Sequence, residues 1–417
     1  MQKNNSNGDQ EKKEVPKDQD SEFLSLIDVC KNGESEEYYS LHSILSKNVS
    51  KRDQIGRTLL HHAAYGGNEQ IFHDLLHYIE LNEADKIGRT ALHIAARRGN
   101  TNIVKYILTC KSSSKDELLH AKDKNGLNPF CYAALAGHVS TIEIFKEEGF
   151  DVVNYQTKYG ETLAHLACIG NSEEILEMSF AVIQKKNKMD WKPLQYAAKS
   201  GYVELIKYFS KNKVPDLNKT EDLKNPFHSA CENGHLEACK IIAEKFPKCI
   251  NASDKQGRNA GHFAAKSGKV GVLQYLIDVC KIEVDEESSQ GINILHVACR
   301  HGRFEMVKYI AERYPDLVNK ESKKGWNAAL FLGELGGADE KRIKILEYLV
   351  AEHDLFVYHV SRAGKSILYN ACANRSNRLC KYLLKNYPDL LTIERSMDLS
   401  NCVQIEEIEK LLEECSS

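Results

Sequence analysis

Short apolar runs recur along the chain in a fixed internal order. Thr58-Leu59-Leu60-His61-His62-Ala63-Ala64 lines up with Thr90-Ala91-Leu92-His93-Ile94-Ala95-Ala96, and both align with Asn128-Pro129-Phe130-Cys131-Tyr132-Ala133-Ala134 and Thr162-Leu163-Ala164-His165-Leu166-Ala167-Cys168. The Thr or Asn stands two residues after a glycine (Gly56, Gly88, Gly126, Gly160), the placement of a helix N-cap whose side-chain oxygen takes an orphan N–H. Pro129, Pro193 and Pro226 follow their caps at the first helical position, where a missing N–H costs nothing. Gly67, Gly99, Gly137, Gly201, Gly234, Gly268 and Gly302 are placed to end this helix after about two turns. A second helix is predicted from stripes at 3.6-residue spacing, such as Ile103, Val104, Tyr106, Ile107 and Leu108, or Val307, Tyr309 and Ile310. Helices this short are unstable alone, so each pair must bury its apolar face against neighbouring pairs.

The register continues through Lys192-Pro193-Leu194, Asn225-Pro226-Phe227-His228, Asn259-Ala260-Gly261-His262, Asn293-Ile294-Leu295-His296, Asn327-Ala328-Ala329 and Ser366-Ile367-Leu368. Its first small residue falls at Ala63, Ala95, Ala133, Ala167, Ala197, Ala230, Ala264, Ala298, Leu332 and Ala371, a period close to 33 with insertions at two places. This resembles the ankyrin repeat, with its 33-residue period and T-P-L-H-x-A signature. The match recurs ten times over roughly residues 22–390, and Leu24 to Asn48 reads as a degenerate first unit, giving about eleven repeats with the first and last as caps. The resemblance implies an all-α fold, an ankyrin-repeat solenoid of stacked helix-turn-helix units joined by β-turn/hairpin loops.

Three segments follow: a disordered polar N-terminal tail over 1–21, the repeat domain over 22–390, and a C-terminal capping segment over 391–417. The last has Ile405, Ile408, Leu411 and Leu412 at helical spacing, a stripe too short for a dimerising coiled coil. Two units depart from the pattern. Extra residues around 111–115 form a Ser-rich insertion, and in the tenth unit Leu332 and Gly333 replace the small pair while 336–341 lengthen the turn between helices. A Leu where helices nearly touch costs about 1–3 kcal/mol of overpacking unless the units separate. Hinge and eroded repeat both remain open there.

Composition excludes several classes. Lys plus Arg is 56 and Asp plus Glu 59, a net charge of −3, so nothing points to nucleic acid. The apolar fraction of 42% suffices for a core, no run has the roughly 18 apolar residues of a membrane span, and Met1 to Asp20 lacks an apolar signal region. A cytoplasmic or nuclear monomer with reduced thiols is the expectation for the 13 cysteines. Five of them (Cys30, Cys168, Cys231, Cys299, Cys372) share the second small position and act as small apolar residues. His61, His93, His165, His228, His262 and His296 share one position too, where the family resemblance implies hydrogen bonding to backbone between units. No C-x-x-C or H-E-x-x-H spacing occurs, so no metal or cofactor is expected. Gly364-Lys365-Ser366 copies the end of a phosphate loop, but His359 stands where the loop needs glycine, and the tripeptide falls on a turn and cap. No catalytic constellation emerges, so no enzyme is predicted.

Charge is nevertheless segregated. The five residues before each cap carry thirteen basic and eight acidic residues over ten units. Arg97, Arg98, Lys199, Lys266 and Arg300 against Glu232 end the first helices, so about +9 lies on tips and first helices. Trp191 and Trp326, the chain's two tryptophans, both precede a cap, and Trp is enriched at binding hot spots. Each ring either awaits a partner or packs on its neighbouring tip. The resemblance implies that tips and first helices line a concave binding face. Candidate partner-binding residues are therefore Arg57, Arg89, Arg97, Arg98, Trp191, Arg258, Arg300 and Trp326. The predicted function is a scaffold or adaptor that captures a protein with an acidic surface or segment, without membrane insertion. The cytoplasmic arm of a larger assembly such as an ion channel, and a pathogen effector engaging host proteins, are the alternatives.

Overall fold

The computed structural model describes residues 18–109, 115–212, 224–337 and 339–396. Most of the tail over 1–21, the centre of the Ser-rich insertion and the stripe from Ile405 to Leu412 lie outside these residues. The chain divides into two compact units, Met1–Asn187 and Lys188–Ser417. Every regular element in the described residues is a helix, and the helices come in the predicted pairs.

In the first unit a short first helix alternates with a second: Leu59–Gly66 with Glu69–Leu75, Ala91–Arg98 with Thr101–Thr109, Pro129–Ala136 with Val139–Glu147, and Leu163–Gly170 with Glu173–Met178. Ahead of them Asp18–Asn32 packs on Leu59–Gly66, and the degenerate unit's second half is broken at Leu41 into Ser35–Ser40 and His42–Asn48. The second unit repeats the scheme from Pro193–Ser200 with Val203–Lys211 to Ile367–Ala373 with Asn377–Asn386. First helices pack on first helices of the next pair within each unit, and their small residues (Ala63, Ala95, Ala133, Ala230, Ala264, Ala298) are fully buried.

The helix ends follow the sequence. Asn128, Asn225, Asn259 and Asn293 accept from the third helical N–H, and Gly67, Gly99, Gly137, Gly201, Gly234 and Gly268 close the helices in the left-handed conformation. Asn171, at φ 56°, does the same job where no glycine is present. Pro247 and Pro315 open single 3₁₀ turns after second helices.

The repeated histidines act as stitches between pairs. The Thr58 amide donates to His61 Nδ1 at 3.2 Å, so the ring's proton sits on Nε2 and goes to the Arg89 carbonyl 2.8 Å away. His228, His262 and His296 donate in the same way to Ala252, Ile292 and Lys320, each at 2.8 Å, and His93 to Leu127 at 3.3 Å. Burial holds these rings neutral, pushing His93, His228 and His296 down to about 4. Gln195 replaces His in one pair and reaches the Lys224 carbonyl at 2.7 Å.

The misfit at Leu332 is resolved by shortening. The first helix here is only Ala328–Leu332, and Gly333 follows so closely beneath the next pair that a Cβ would lie 2.8 Å from the Ile367 carbonyl oxygen. Asn370 donates to Leu330 O at 3.1 Å and Asn374 to Gly333 O at 3.2 Å, satisfying carbonyls that the lost turn orphans. The extra residues do not simply lengthen the turn: Asp339 to Lys341 are helical and extend the second helix to Asp339–His353, 15 residues. Two hydrogen bonds thus join the unit to the pair that follows it.

Candidate functional site

Each turn tip is organised by the side chain at its first position. Asp53, Asp85, Asp123 and Asp254 each accept from two amides further along the tip at 2.8–3.0 Å. Thr157, Ser288, Ser322 and Ser361 use a hydroxyl in their place. Neighbouring tips are joined by single backbone bonds, such as Lys86 N to Ile55 O at 2.9 Å and Lys323 N to Gln290 O at 2.9 Å. This column went unread in the sequence, where its aspartates counted as surface acid. The signal was there: Asp, Ser or Thr recurs five residues before nearly every cap.

The second tip position carries the exposed positive charge. Lys86, Lys124 and Lys158 in the first unit, and Lys188, Lys255, Lys323 and Arg362 in the second, all face solvent. Lys86, Lys124 and Lys255 stand beside a carboxylate buried in its turn (Asp85, Asp123, Asp254), whereas the first position beside Lys158, Lys188, Lys323 and Arg362 carries no charge.

The arginine candidates divide. Arg89 is a correction: it is only 7% exposed, its Nε and Nη2 lie 2.7 and 2.6 Å from Asp85 Oδ2, and its carbonyl is taken by His61. Burial raises the Asp85 carboxyl, but the hydrogen bonds from the Arg89 amide and guanidinium outweigh it and hold it below its ordinary value. Arg57 leans on the same carboxylate at 3.9 Å with its side chain 24% exposed. Both are parts of a closed tip. Arg97 and Arg98 are exposed, with Arg98 stacked 4.3 Å over the Tyr65 ring. Arg258 pairs with Asp254 at 2.6 Å and Arg300 with Glu334 at 3.1 Å, yet both keep more than a third of the side chain in solvent.

Trp191 and Trp326 are half-buried, and each packs on its own first helix. Trp191 meets Tyr196 at 5.3 Å and 65°, Trp326 meets Phe331 at 5.3 Å and 64°, one geometry at two places in the second unit. Lys199 and Lys224 lie 5.4 and 5.9 Å from the Trp191 ring, and Lys324 lies 5.9 Å from Trp326.

Between these rings the second unit holds three depressions. One of about 390 Å³ is lined by Trp191, Lys199, Lys224, Glu232, Lys266 and Arg303. A second, of about 250 Å³, shares Lys266 and adds Arg258, Arg300 and His301. A third, of about 60 Å³, shares Gln290 and Ile292 with the second and ends on Lys324 and Trp326. His301 is driven down to about 4 by burial and by Lys266, Arg300, Arg303 and Arg342 around it, so it is neutral at physiological pH. The described cysteines are mostly buried, and burial pushes the thiols of Cys168 and Cys299 well up. Among the described residues no group of three His, Cys, Asp or Glu side chains is arranged to hold a metal ion.

Comparisons with known proteins agree with the repeat. The chain is 24% identical over 164 residues to a transient receptor potential cation channel subfamily A member 1 homologue of Caenorhabditis elegans, covering 38% of this chain and 13% of the channel. It is 26% identical over 146 residues to alpha-latrotoxin-Lh1a of Latrodectus hasselti, covering 33% of this chain and 11% of the toxin. The chain thus matches only a small part of these relatives' length. The solved structure of the human ASB11 ankyrin repeat domain aligns with 53% of this chain and 97% of its own, at 20% identity and a TM-score of 0.45. The model for ankyrin repeats (3 copies) matches residues 26–117, 179–254 and 247–321, more than half of the chain. With histidine stitches, capped helix pairs and side-chain-closed tips all recurring in that register, the chain belongs to the ankyrin-repeat family.

Proposed function

We propose that the chain is a non-enzymatic interaction module, a scaffold or adaptor that captures a protein partner through an acidic surface. The observation that carries this is a division of labour. The repeated histidines, the buried cysteines and the first tip residue are engaged by the fold, whereas exposed lysines and two half-buried tryptophans stand outside the packed stripe on tips and first helices. Ankyrin repeats are in general protein-interaction domains, and no described helix is long and apolar enough to cross a membrane. In this reading residues 22–390 form the binding domain, 1–21 and 391–417 flank it, and the protein works as a cytoplasmic monomer. The direct test is saturable binding. The immobilised full chain should retrieve a partner from lysate whose retention falls as salt rises, and a Trp191→Ala/Trp326→Ala chain should retain less. Retention indifferent to salt and to both substitutions would place recognition elsewhere.

A second reading has its own support. The channel homologue and the toxin match this chain over a small fraction of their length, the relation of a repeat array to a larger assembly. As an arm of such an assembly the same face would dock a neighbouring domain, and size measurement of the native complex separates the two readings.

A further inference from the structure

We infer that the second unit's groove between Trp191 and Trp326 takes one extended acidic peptide segment, with an apolar side chain near each end. This rests on the protein-binding reading above and names the ligand class and its seat. The three depressions are continuous through shared walls, Lys266 between the first two and Gln290 with Ile292 between the last two. From Trp191 the same register position steps through Lys224, Arg258 and Ile292 to Trp326, four repeats on. At roughly 9 Å per packed helix the span is on the order of 36 Å, and at about 3.3 Å per residue an extended strand of about eleven residues covers it.

Charge decides the occupant. Among the described residues the lining holds two acidic side chains, and both are engaged: Glu232 bridges Lys224 and Lys266, and Glu334 holds Arg300. These pairs fix three cations in place along the groove. Lys199, Arg303 and Lys324 have no ion-pair partner among the described residues and face solvent. Carboxylates spaced along an extended segment complement this row, and the half-exposed indoles at its two ends suit apolar anchors. A polynucleotide fits less well, since its unbroken phosphate chain would cross Glu232 and Glu334, and the chain is net −3 overall.

The test uses the full chain and a random 12-residue peptide display library, followed by anisotropy titration of the best labelled peptide. Enriched peptides should be rich in Asp and Glu. Lys199→Glu and Lys324→Glu should each weaken binding about tenfold, and Trp191→Ala and Trp326→Ala about thirtyfold each, with the far-ultraviolet circular dichroism unchanged. Trp326→Phe should recover part of the loss, which a merely damaged fold would not do. Sensitivity at one end only overturns the spanning seat, and enrichment of neutral or basic peptides overturns the ligand class. Tighter binding of a twelve-residue oligouridylate by the same residues replaces the peptide with nucleic acid. If Glu406→Gln/Glu407→Gln/Glu409→Gln raises peptide affinity severalfold, the occupant is the chain's own C-terminal segment. Absence of any enriched peptide while a folded partner still binds sinks this inference and leaves the interaction module standing; absence of both sinks both.

Discussion

Two tips built on one plan behave differently. In the tip from Asp85 to Arg89 the first side chain has two oxygens: Oδ1 takes the Ile87 and Arg89 amides at 3.0 and 2.9 Å, and Oδ2 draws in the Arg89 guanidinium at 2.7 Å. In the tip from Ser322 to Trp326 there is one oxygen, spent on the Trp326 amide at 3.2 Å. The fifth residue has nothing to fold back on, so its ring lies over Phe331 at the mouth of a groove. The same repeat position is thus enclosed in one tip and half-exposed in the other, with both the first and the fifth side chains changed. Arg258 is intermediate, paired with Asp254 but open to solvent.

The largest expected effect follows from removing that oxygen. Asp85→Ala strands a buried guanidinium and two amide donors, and should cost about 3–5 kcal/mol in denaturant or thermal unfolding. Ser322→Ala loses one turn hydrogen bond and should cost only about 1 kcal/mol. Equal losses at the two sites would break the comparison.

Acid sharpens it. The helix after the Asp85 tip carries His93, stitched to Leu127, whereas the helix after the Ser322 tip has Leu330 at that position. His93, His228 and His296 titrate near 4 when folded against an ordinary value of 6.5. Above pH 6.5 neither state binds the proton and the rings cost nothing. Between 6.5 and 4 the unfolded chain is protonated and the folded one is not, so stability falls by about 1.4 kcal/mol per pH unit for each ring, then levels off below 4. The total is on the order of 3 kcal/mol each. Hydrogen exchange at pH 5, corrected for intrinsic rates, should show protection falling in 91–98, 226–233 and 294–300 before 328–332. Loss in 328–332 first would mean the histidine stitches do not limit acid stability.

The fold was legible because its requirements are local and repeated. A cap, a small pair and a closing glycine leave the same trace in most units, so Asn171 in place of a glycine is noticed only as an exception. The site was legible in part. Trp191 and Trp326 stood out by register, but Arg57, Arg89 and Arg258 all follow an Asp by four residues and differ in how far the side chain folds into its tip, a coupling invisible when residues are tallied by sign. Arg89 was misread for this reason. The continuity of the groove was not legible at all, because Lys266 and Ile292 join its parts across repeats through packing. The shortened helix at Leu332 was likewise hidden, since its compensation comes from Asn370 and Asn374 in the following pair.

Partner binding is the next measure by size. Trp326→Ala should weaken the complex by about 2 kcal/mol, chiefly through faster dissociation, while moving the unfolding midpoint little. Arg89→Ala should do the reverse, lowering stability with slight effect on affinity, because its side chain is enclosed by the tip. Surface plasmon resonance beside denaturant melts on both variants checks the crossing pattern; parallel behaviour of the two would remove the distinction between closed and open tips.

The smallest effect belongs to the exposed charges of the first unit. Arg97 and Arg98 end a first helix facing solvent, and the part proposed for them in binding is steering, screened beyond about 8 Å at physiological ionic strength. Arg97 is the cleaner probe: its carbonyl accepts from His138 at 3.0 Å through the backbone, so the side chain can change without touching the stitch. Arg98→Glu also gives up the stack on Tyr65, worth about 0.5–1 kcal/mol at an exposed site. Arg97→Glu should slow association severalfold at low salt and leave dissociation unchanged, while Lys207→Glu or Lys308→Glu on second helices should do less. In about 1 M salt the Debye length shrinks to about 3 Å and the difference should vanish. A slowing by Arg97→Glu that persists at that salt would make Arg97 a contact residue, and the first unit's tips would then belong to the binding face as directly as the second unit's groove.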